Sequence, residues 1–234
     1  MHLFFLQVII DSAKIKDSLA RAGMMVTSDK QSLWDIFEKG GPLMIPLAIL
    51  LVIAIFVFFE RLIAINKASK VDDNFMNIIR DHIMNSNITA ARSLAKNTNN
   101  SVARVIDKGI QRIGKPIDAI EKSMENVGRL ELYKMEKNVP VLSVIGYIAP
   151  LFGFLGTIIG MFQLFYSIAS TGEYSISNIA GGIYVKMISS ASGLIIGIIA
   201  YIAFRYLNSR IDKTVNKIEV ASADFIDILQ EPTR

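Results

Sequence analysis

The sequence predicts an all-α membrane protein in which three transmembrane helices are extended by long helices into a cytoplasmic helical bundle. Hydrophobic residues make up 52% of the 234 residues, and the mean hydropathy is +0.41. These residues are gathered into three long runs, and nearly all charges lie between the runs. In a water-soluble domain, apolar residues are instead dispersed with the period of a helix or a strand. The blocked pattern therefore indicates membrane spans.

Each of the three runs is long enough to cross a bilayer. A helix needs about 20 mostly apolar residues to cross a hydrocarbon core of roughly 30 Å. We predict the spans at residues 40–65, 139–170 and 179–207. The first holds an uncharged run that ends before Glu60 and Arg61. The second has no ionisable group other than tyrosines, and the apolar part of the third has one charge, at Lys186.

The second span is longer than a bilayer requires. The 32 residues 139–170 form a helix of about 48 Å at 1.5 Å per residue. We expect the excess apolar surface to continue into a protein-lined cytoplasmic end. Pro140 and Pro150 would kink an isolated helix, but neighbouring helices can satisfy the backbone groups that prolines free.

Orientation follows from the basic residues of the connections. Residues 66–139 carry 13 Lys and Arg, the tail 205–234 carries 5, and the connection 171–178 carries none. The positive-inside rule places basic connections in the cytoplasm. It therefore predicts a cytoplasmic region at 66–138, a short periplasmic turn at 171–178 and a cytoplasmic C-terminal helix or tail at 208–234. The amino terminus is then periplasmic.

The segments outside the spans are also expected to be helical. Residues 1–39 are interpreted as an amphipathic arm at the periplasmic membrane surface, without the basic region and cleavage site of a signal peptide. Apolar residues of the cytoplasmic region recur at helical spacing on both sides of Gly114. Pro116 suits the first turn of the next helix. That helix is expected to continue straight into the second span.

The composition argues against several classes of function. The chain has no cysteine, and its two histidines, His2 and His82, are too isolated to build a metal site. No nucleotide-binding motif or catalytic triad candidate is evident, so neither a metal, a cofactor nor an enzyme activity is expected. The net charge of +4 reflects basic residues beside the membrane and does not indicate a nucleic acid partner.

Small residues follow one face of the second and third spans. Such residues let membrane helices approach closely, where dispersion and weak polar contacts replace the missing hydrophobic drive. We predict a tight bundle, and from it a ring of subunits, packed through Gly146, Gly153, Gly156, Gly160, Gly193 and Gly197. Ser189 belongs to the same small face of the third span.

Polar residues inside the spans are the candidates for function. Thr157 and Ser190 either bond to a backbone carbonyl one turn back, as most hydroxyls in membrane helices do, or line a hydrated path that passes protons to an acid of a partner. Lys186 either faces such a path or extends its ammonium to the outer interface. Glu60 and Arg61 are predicted to form an ion pair that anchors the first span at its cytoplasmic edge.

Neither the second nor the third span contains Asp or Glu. A proton pump or symporter that works alone is expected to carry an acidic group inside the membrane. The sequence therefore predicts that any proton path in this chain depends on a carboxylate from another polypeptide.

The stretch IGYIAPLFGFLGTIIGMFQLF at residues 145–165 resembles the signature of the ExbB/TolQ/MotA proton-channel family. In that family the second span contains IG, then AP, then G-x-LGT-x-x-G, and the three blocks occur here in that order. Residues 181–201 are similar to the family's G-I-x-x-x-L-x-x-T-x-x-G-L. The FFERLIAI that closes the first span also resembles ExbB.

The resemblance implies a bacterial inner-membrane protein that forms a homopentamer around two copies of a single-span ExbD/TolR-like partner. That partner carries the essential transmembrane aspartate. Proton flow through the aspartate drives mechanical work on a TonB-like energy transducer. The implied coupling ion is the proton, and sodium, which some relatives use, is less favoured.

The resemblance also assigns roles to single positions. Thr157 corresponds to the pore-lining threonine of the second span, and Ser190 stands where ExbB has a second threonine. The usual glutamate of the third span would align with Val185, next to Lys186. This departure leaves coupling to the aspartate of the partner.

Three spans favour ExbB or TolQ over MotA, which usually has four, and ExbB is preferred over TolQ. A passive oligomeric scaffold is the alternative from another class, and it predicts that Thr157 and Ser190 tolerate apolar replacement. A secondary transporter is disfavoured because it usually needs more spans and inverted repeats.

Overall fold

Seven α-helices, and no strand, make up the part of the chain that the computed structural model describes, namely residues 42–72, 74–172 and 176–231. The helices are α1 (Met44–Ser69), α2 (Phe75–Met84), α3 (Ile88–Asn97), α4 (Ser101–Ile110), α5 (Ile117–Glu136), α6 (Val139–Thr171) and α7 (Ile176–Gln230). The predicted arm at 1–39 lies outside the described residues, as do residues 173–175 of the predicted turn at 171–178.

The predicted all-α class is confirmed for the described residues, and so are three helical stretches able to span a membrane. They lie in α1, in the run from α5 into α6, and in α7, and each is long and apolar enough to cross a bilayer. The predicted third span and the predicted C-terminal helix are one continuous helix of 55 residues, which is about 80 Å long.

Helix α5 does not run straight into α6. Helix α5 ends at Glu136, and Asn138 adopts a left-handed conformation with φ 65° before α6 begins. Asparagine tolerates this conformation better than most residues. Pro140 lies in the first turn of α6, where its missing N–H costs nothing. The prediction of an unbroken helix was therefore wrong, because a break of two residues separates α5 from α6.

Helix α1 fixes where the extra length of α6 lies. Leu43, just before α1, is 3.3 Å from the position of a Cβ on Gly156, and Arg61 donates to the Lys134 carbonyl at 3.3 Å. Helix α1 thus runs beside α6 only as far outward as Gly156. The excess apolar length, residues 157–171, extends beyond α1 on the predicted outer side. The excess was expected at the opposite, predicted cytoplasmic end, but α6 begins level with Arg61 of α1.

Helices α2 to α5 and the second half of α7 pack together as a bundle, whose cytoplasmic location stays a prediction. Phe225 of α7 is fully buried against α4 and α5, where a Cβ on Gly109 would lie 2.6 Å from its ring. Val102, Ile106 and Met124 belong to the apolar residues that recur at helical spacing on the two sides of Gly114, and each is 1% exposed or less. Their burial gives this bundle its core.

A buried carboxylate joins α4 to α5. Glu131 is 2% exposed. It accepts hydrogen bonds from Ser101 at 3.1 Å, from Lys134 at 2.7 Å and from Arg104. Burial alone would raise the pKa of Glu131, but the bonds from Arg104 and Lys134 outweigh it and lower the pKa below the ordinary value of 4.5.

We expect Glu131→Gln to make the cytoplasmic bundle less stable at neutral pH by about 1–3 kcal/mol, because Arg104 loses a charged acceptor. A lowered pKa contributes stability that is present above pH 4.5 and is lost as the pH falls through the lowered value. The gap between the melting temperatures of wild type and variant should therefore close on acidification. Glu125→Gln is the control. The ion pairs of Glu125 are exposed, so their loss should change the melting temperature little. A gap that stays constant below pH 4.5 would contradict this role of Glu131.

Candidate functional site

The predicted glycines bring α6 and α7 into backbone contact along what we call the α6–α7 seam. A Cβ on Gly193 would lie 2.5 Å from the Ala149 carbonyl oxygen and 2.9 Å from the Gly153 Cα. Real Cβ atoms do not approach backbone this closely, so the seam depends on glycine at this point. The structure places in the seam all six predicted glycines, namely Gly146, Gly153, Gly156, Gly160, Gly193 and Gly197.

Pro150 packs inside the same seam. Helix α6 continues through Pro150, although proline removes the backbone bond to the residue four positions back. A Cβ on Gly197 would lie 2.6 Å from the Pro150 ring and 2.9 Å from the Gly146 carbonyl oxygen. The missing side chain of Gly197 therefore accommodates both the ring and the carbonyl that the ring frees.

The seam has two edges, and α1 covers one of them. Leu43 and Gly156 lie on this covered edge together with Ser189, which is 1% exposed. Among the described residues, none bonds to the Ser189 hydroxyl. The spacing of small residues predicts that Ser189 packs in the seam and is buried. It does not predict that the hydroxyl lies there without a bond from the described residues.

The candidate polar residues lie on the other side, which we call the open edge. Successive residues of a helix are about 100° apart. Because Gly156 and Ser189 face the covered edge, the residues that follow them, Thr157 and Ser190, face away from it. Both are half-buried, as is Lys186. The structure thus brings Thr157, Lys186 and Ser190 to one edge of the seam.

The Thr157 hydroxyl connects the two helices. It lies 3.4 Å from the Gly153 carbonyl oxygen on its own helix and 3.4 Å from the Lys186 carbonyl oxygen on α7. Both distances are longer than the usual 2.5–3.0 Å of a hydroxyl bond. The hydroxyl can donate to either carbonyl while its oxygen remains able to accept, as a water-mediated proton path requires.

Lys186 crosses the seam at a notch in α6. Its aliphatic carbons lie 2.1–2.4 Å from the position of a Cβ on Gly160, so any side chain at Gly160 would displace the lysine. Within the part of the chain that the structure describes, Lys186 has no ion pair.

Glu60 and Arg61 pair at the other end of α1. The Arg61 Nε donates to Glu60 at 2.8 Å, and Arg61 also contacts the second carboxylate oxygen and the Lys134 carbonyl. The Arg61 side chain is 9% exposed. This pair connects the first span to the last turn of α5, and its predicted location at the cytoplasmic membrane edge remains a prediction.

No cluster of three or more His, Cys, Asp or Glu side chains suited to a metal ion occurs in the described ranges. What the seam offers is hydroxyl groups, backbone carbonyls and one lysine. These groups can order water and exchange hydrogen bonds with it.

Comparison with known proteins agrees with the sequence motifs. The sequence profile of the MotA/TolQ/ExbB proton channel family matches residues 97–220. A putative biopolymer transport protein ExbB homolog of Methanothermobacter thermautotrophicus is 24% identical over 80% of this chain and 66% of its own length. Biopolymer transport protein exbB1 of Vibrio cholerae is 33% identical over 37% of this chain and 39% of its own length.

A relative with another role aligns over more of its length. The Tol-Pal system protein TolQ of Pseudomonas aeruginosa is 24% identical over 86% of this chain and 94% of its own length. The chain spans just under two thirds of the Methanothermobacter protein and less than half of the Vibrio protein.

Proposed function

Because this chain belongs to the MotA/TolQ/ExbB proton channel family, a family of channel and transport proteins rather than enzymes, we propose that it is the channel subunit of an ExbB-type inner-membrane motor. In this proposal a homopentamer surrounds a single-span ExbD/TolR-like partner. The motor converts the proton motive force into work on a TonB-like protein for outer-membrane active transport.

The observation that carries the proposal is the open edge of the α6–α7 seam. Thr157, Ser190 and Lys186 lie there, and neither span carries an acid. A hydroxyl-lined path without a carboxylate conducts protons only when another chain supplies one, which is how the family is expected to work. The proton is the proposed coupling ion, because no cluster of carboxylates for sodium is evident in the spans.

A TolQ-type role in the Tol-Pal envelope system is the second candidate. It is favoured by the alignment with TolQ of Pseudomonas aeruginosa, which covers 94% of that protein. Both roles use the same seam and differ in the partner that receives the work. A mutant that loses iron uptake but keeps an intact envelope supports the ExbB-type role, and the opposite phenotype supports the TolQ-type role.

Thr157→Val is expected to abolish growth on scarce iron in cells that depend on this chain for TonB-type uptake. Valine keeps the shape of threonine but removes the hydroxyl between α6 and α7. Thr214→Val is the matched control: Thr214 is buried in α7 and donates to the Arg210 carbonyl one turn back at 2.9 Å, but it lies in the bundle away from the seam.

Equal protein levels in the membrane must be shown for both variants by immunoblotting. Near-normal growth of the Thr157→Val cells would count against the motor and favour a passive scaffold, in which the hydroxyl has no role.

A further inference from the structure

Lys186 is the one charged residue in the apolar parts of the second and third spans, residues 139–170 and 179–204. Charged side chains inside membrane helices are costly and almost always pair with an opposite charge or face a hydrated cavity. Because the sequence of both spans lacks Asp and Glu, the pairing anion cannot come from these spans.

Lys186 lies within the length of the α6–α7 seam, one helical turn beyond the level at which α1 begins. Its stem lies against Gly160, and α6 continues to Thr171, which is about 16 Å further at 1.5 Å per residue. Gly182 and Leu164 contact each other one turn beyond the lysine. A lysine side chain held in the Gly160 notch is far too short to reach past this contact to the end of α6.

The surroundings of Lys186 suit a carboxylate. The Thr157 hydroxyl lies 3.4 Å from the Lys186 carbonyl oxygen, and the half-buried Ser190 follows one turn later on α7. An ammonium and two hydroxyls on the same open edge are donors that a carboxylate can use together. The edge lies between two helices on the side that α1 leaves uncovered, where a further transmembrane helix can pack.

We propose that Lys186 is the counter-ion of a carboxylate carried by a transmembrane helix of another polypeptide that lies along the open edge of the α6–α7 seam. This inference rests on the proposed function and goes further, because it names the group of this chain that holds the acid of the partner. Lys186 is then a positioning residue that fixes the depth and rotation of the partner helix relative to Thr157.

Carbodiimide cross-linking of the complex tests the pair directly. The tagged full chain is purified with its partners from its own host and treated with a membrane-permeant carbodiimide. The reagent activates a carboxyl group, and an adjacent lysine amine displaces it to form an amide while the reagent leaves as a urea. We expect mass spectrometry to find an amide between Lys186 and an Asp or Glu in the transmembrane segment of another polypeptide.

The exposed pair of Lys122 and Glu125, 3.0 Å apart, serves as the internal positive control. Absence of a Lys186 amide while the Lys122–Glu125 amide forms would overturn the proposal. A lipid phosphate at Lys186 gives this same negative result, because it yields no amide.

Lys186→Met gives an independent readout because methionine keeps an unbranched stem over Gly160. We expect the amount of copurified single-span protein to fall about tenfold or more, since removing one member of a close charge pair mainly speeds dissociation. Lys186→Arg should restore binding, and Lys217→Met, in the cytoplasmic half of α7, should not change it. Equal copurification with Lys186→Met would overturn the inference and leave the proposed function standing. Absence of any single-span protein from the wild-type preparation would overturn both.

Discussion

Replacing Gly193 with leucine is expected to force α6 and α7 apart and to leave no functional protein in the membrane. The new Cβ would meet the Ala149 carbonyl oxygen at 2.5 Å and the Gly153 backbone at 2.9–3.0 Å. These atoms are main chain in two long helices, so no side chain can rotate away to relieve the clash. Overpacking typically costs about 1–3 kcal/mol, and a backbone clash belongs at or above the upper end of that range.

The control for this substitution lies on the same helix. Among the described residues, no side chain and no neighbouring helix comes within 4 Å of a Cβ on Gly181, so Gly181→Leu adds the same side chain without a clash. Detergent-solubilised variants can be compared by their melting temperature and by the amount that elutes as a monodisperse peak. Gly193→Leu should lose most of that peak, whereas Gly181→Leu should resemble the wild type. Equal behaviour of the two variants would mean that α6 and α7 are not packed as the structure shows.

The number of spans could be predicted from the sequence because it depends on the lengths of apolar runs. The close packing of α6 and α7 could also be predicted, since Gly146, Gly153 and Gly160 recur on one helical face. Both features are local, and they require no knowledge of how distant segments pack. The burial of Met124 and Ile106 followed from helical spacing for the same reason.

The features that the sequence did not reveal depend on tertiary register. The extra length of α6 lies beyond α1 because Arg61 contacts the Lys134 carbonyl and Leu43 lies beside Gly156, and neither contact follows from sequence spacing. Ser189 and Ser190 are neighbours, but α1 covers only the edge that holds Ser189. The break at Asn138 reflects turn chemistry that an apolar pattern does not show.

The ion pair of Glu60 and the network of Glu131 differ in how readily the sequence predicts them. Glu60 and Arg61 are adjacent and of opposite charge, so their pairing could be anticipated from sequence. The network of Glu131 joins Ser101 and Arg104 of α4 to α5 across a separation of about 30 residues, and only the fold brings these groups together. The Gly160 notch for Lys186 is likewise a contact between two helices.

The central claim is that this chain conducts protons only together with an acid from another polypeptide. The seam contributes Thr157, Ser190 and Lys186, whereas its two spans contain no Asp or Glu. A cation and two hydroxyls cannot by themselves take up a proton at neutral pH and release it on the other side. We therefore expect no proton flux through the chain alone and a clear proton flux through the complex.

Proton flux into liposomes tests this claim most directly. The purified chain alone, and the same chain copurified with its single-span partner, are reconstituted at equal protein density with a pH-sensitive dye inside and a potassium diffusion potential as the driving force. We predict that the chain alone acidifies the lumen no faster than empty liposomes do, and that the complex acidifies it well above that background. Equal proton flux through the chain alone and through the complex would contradict the account.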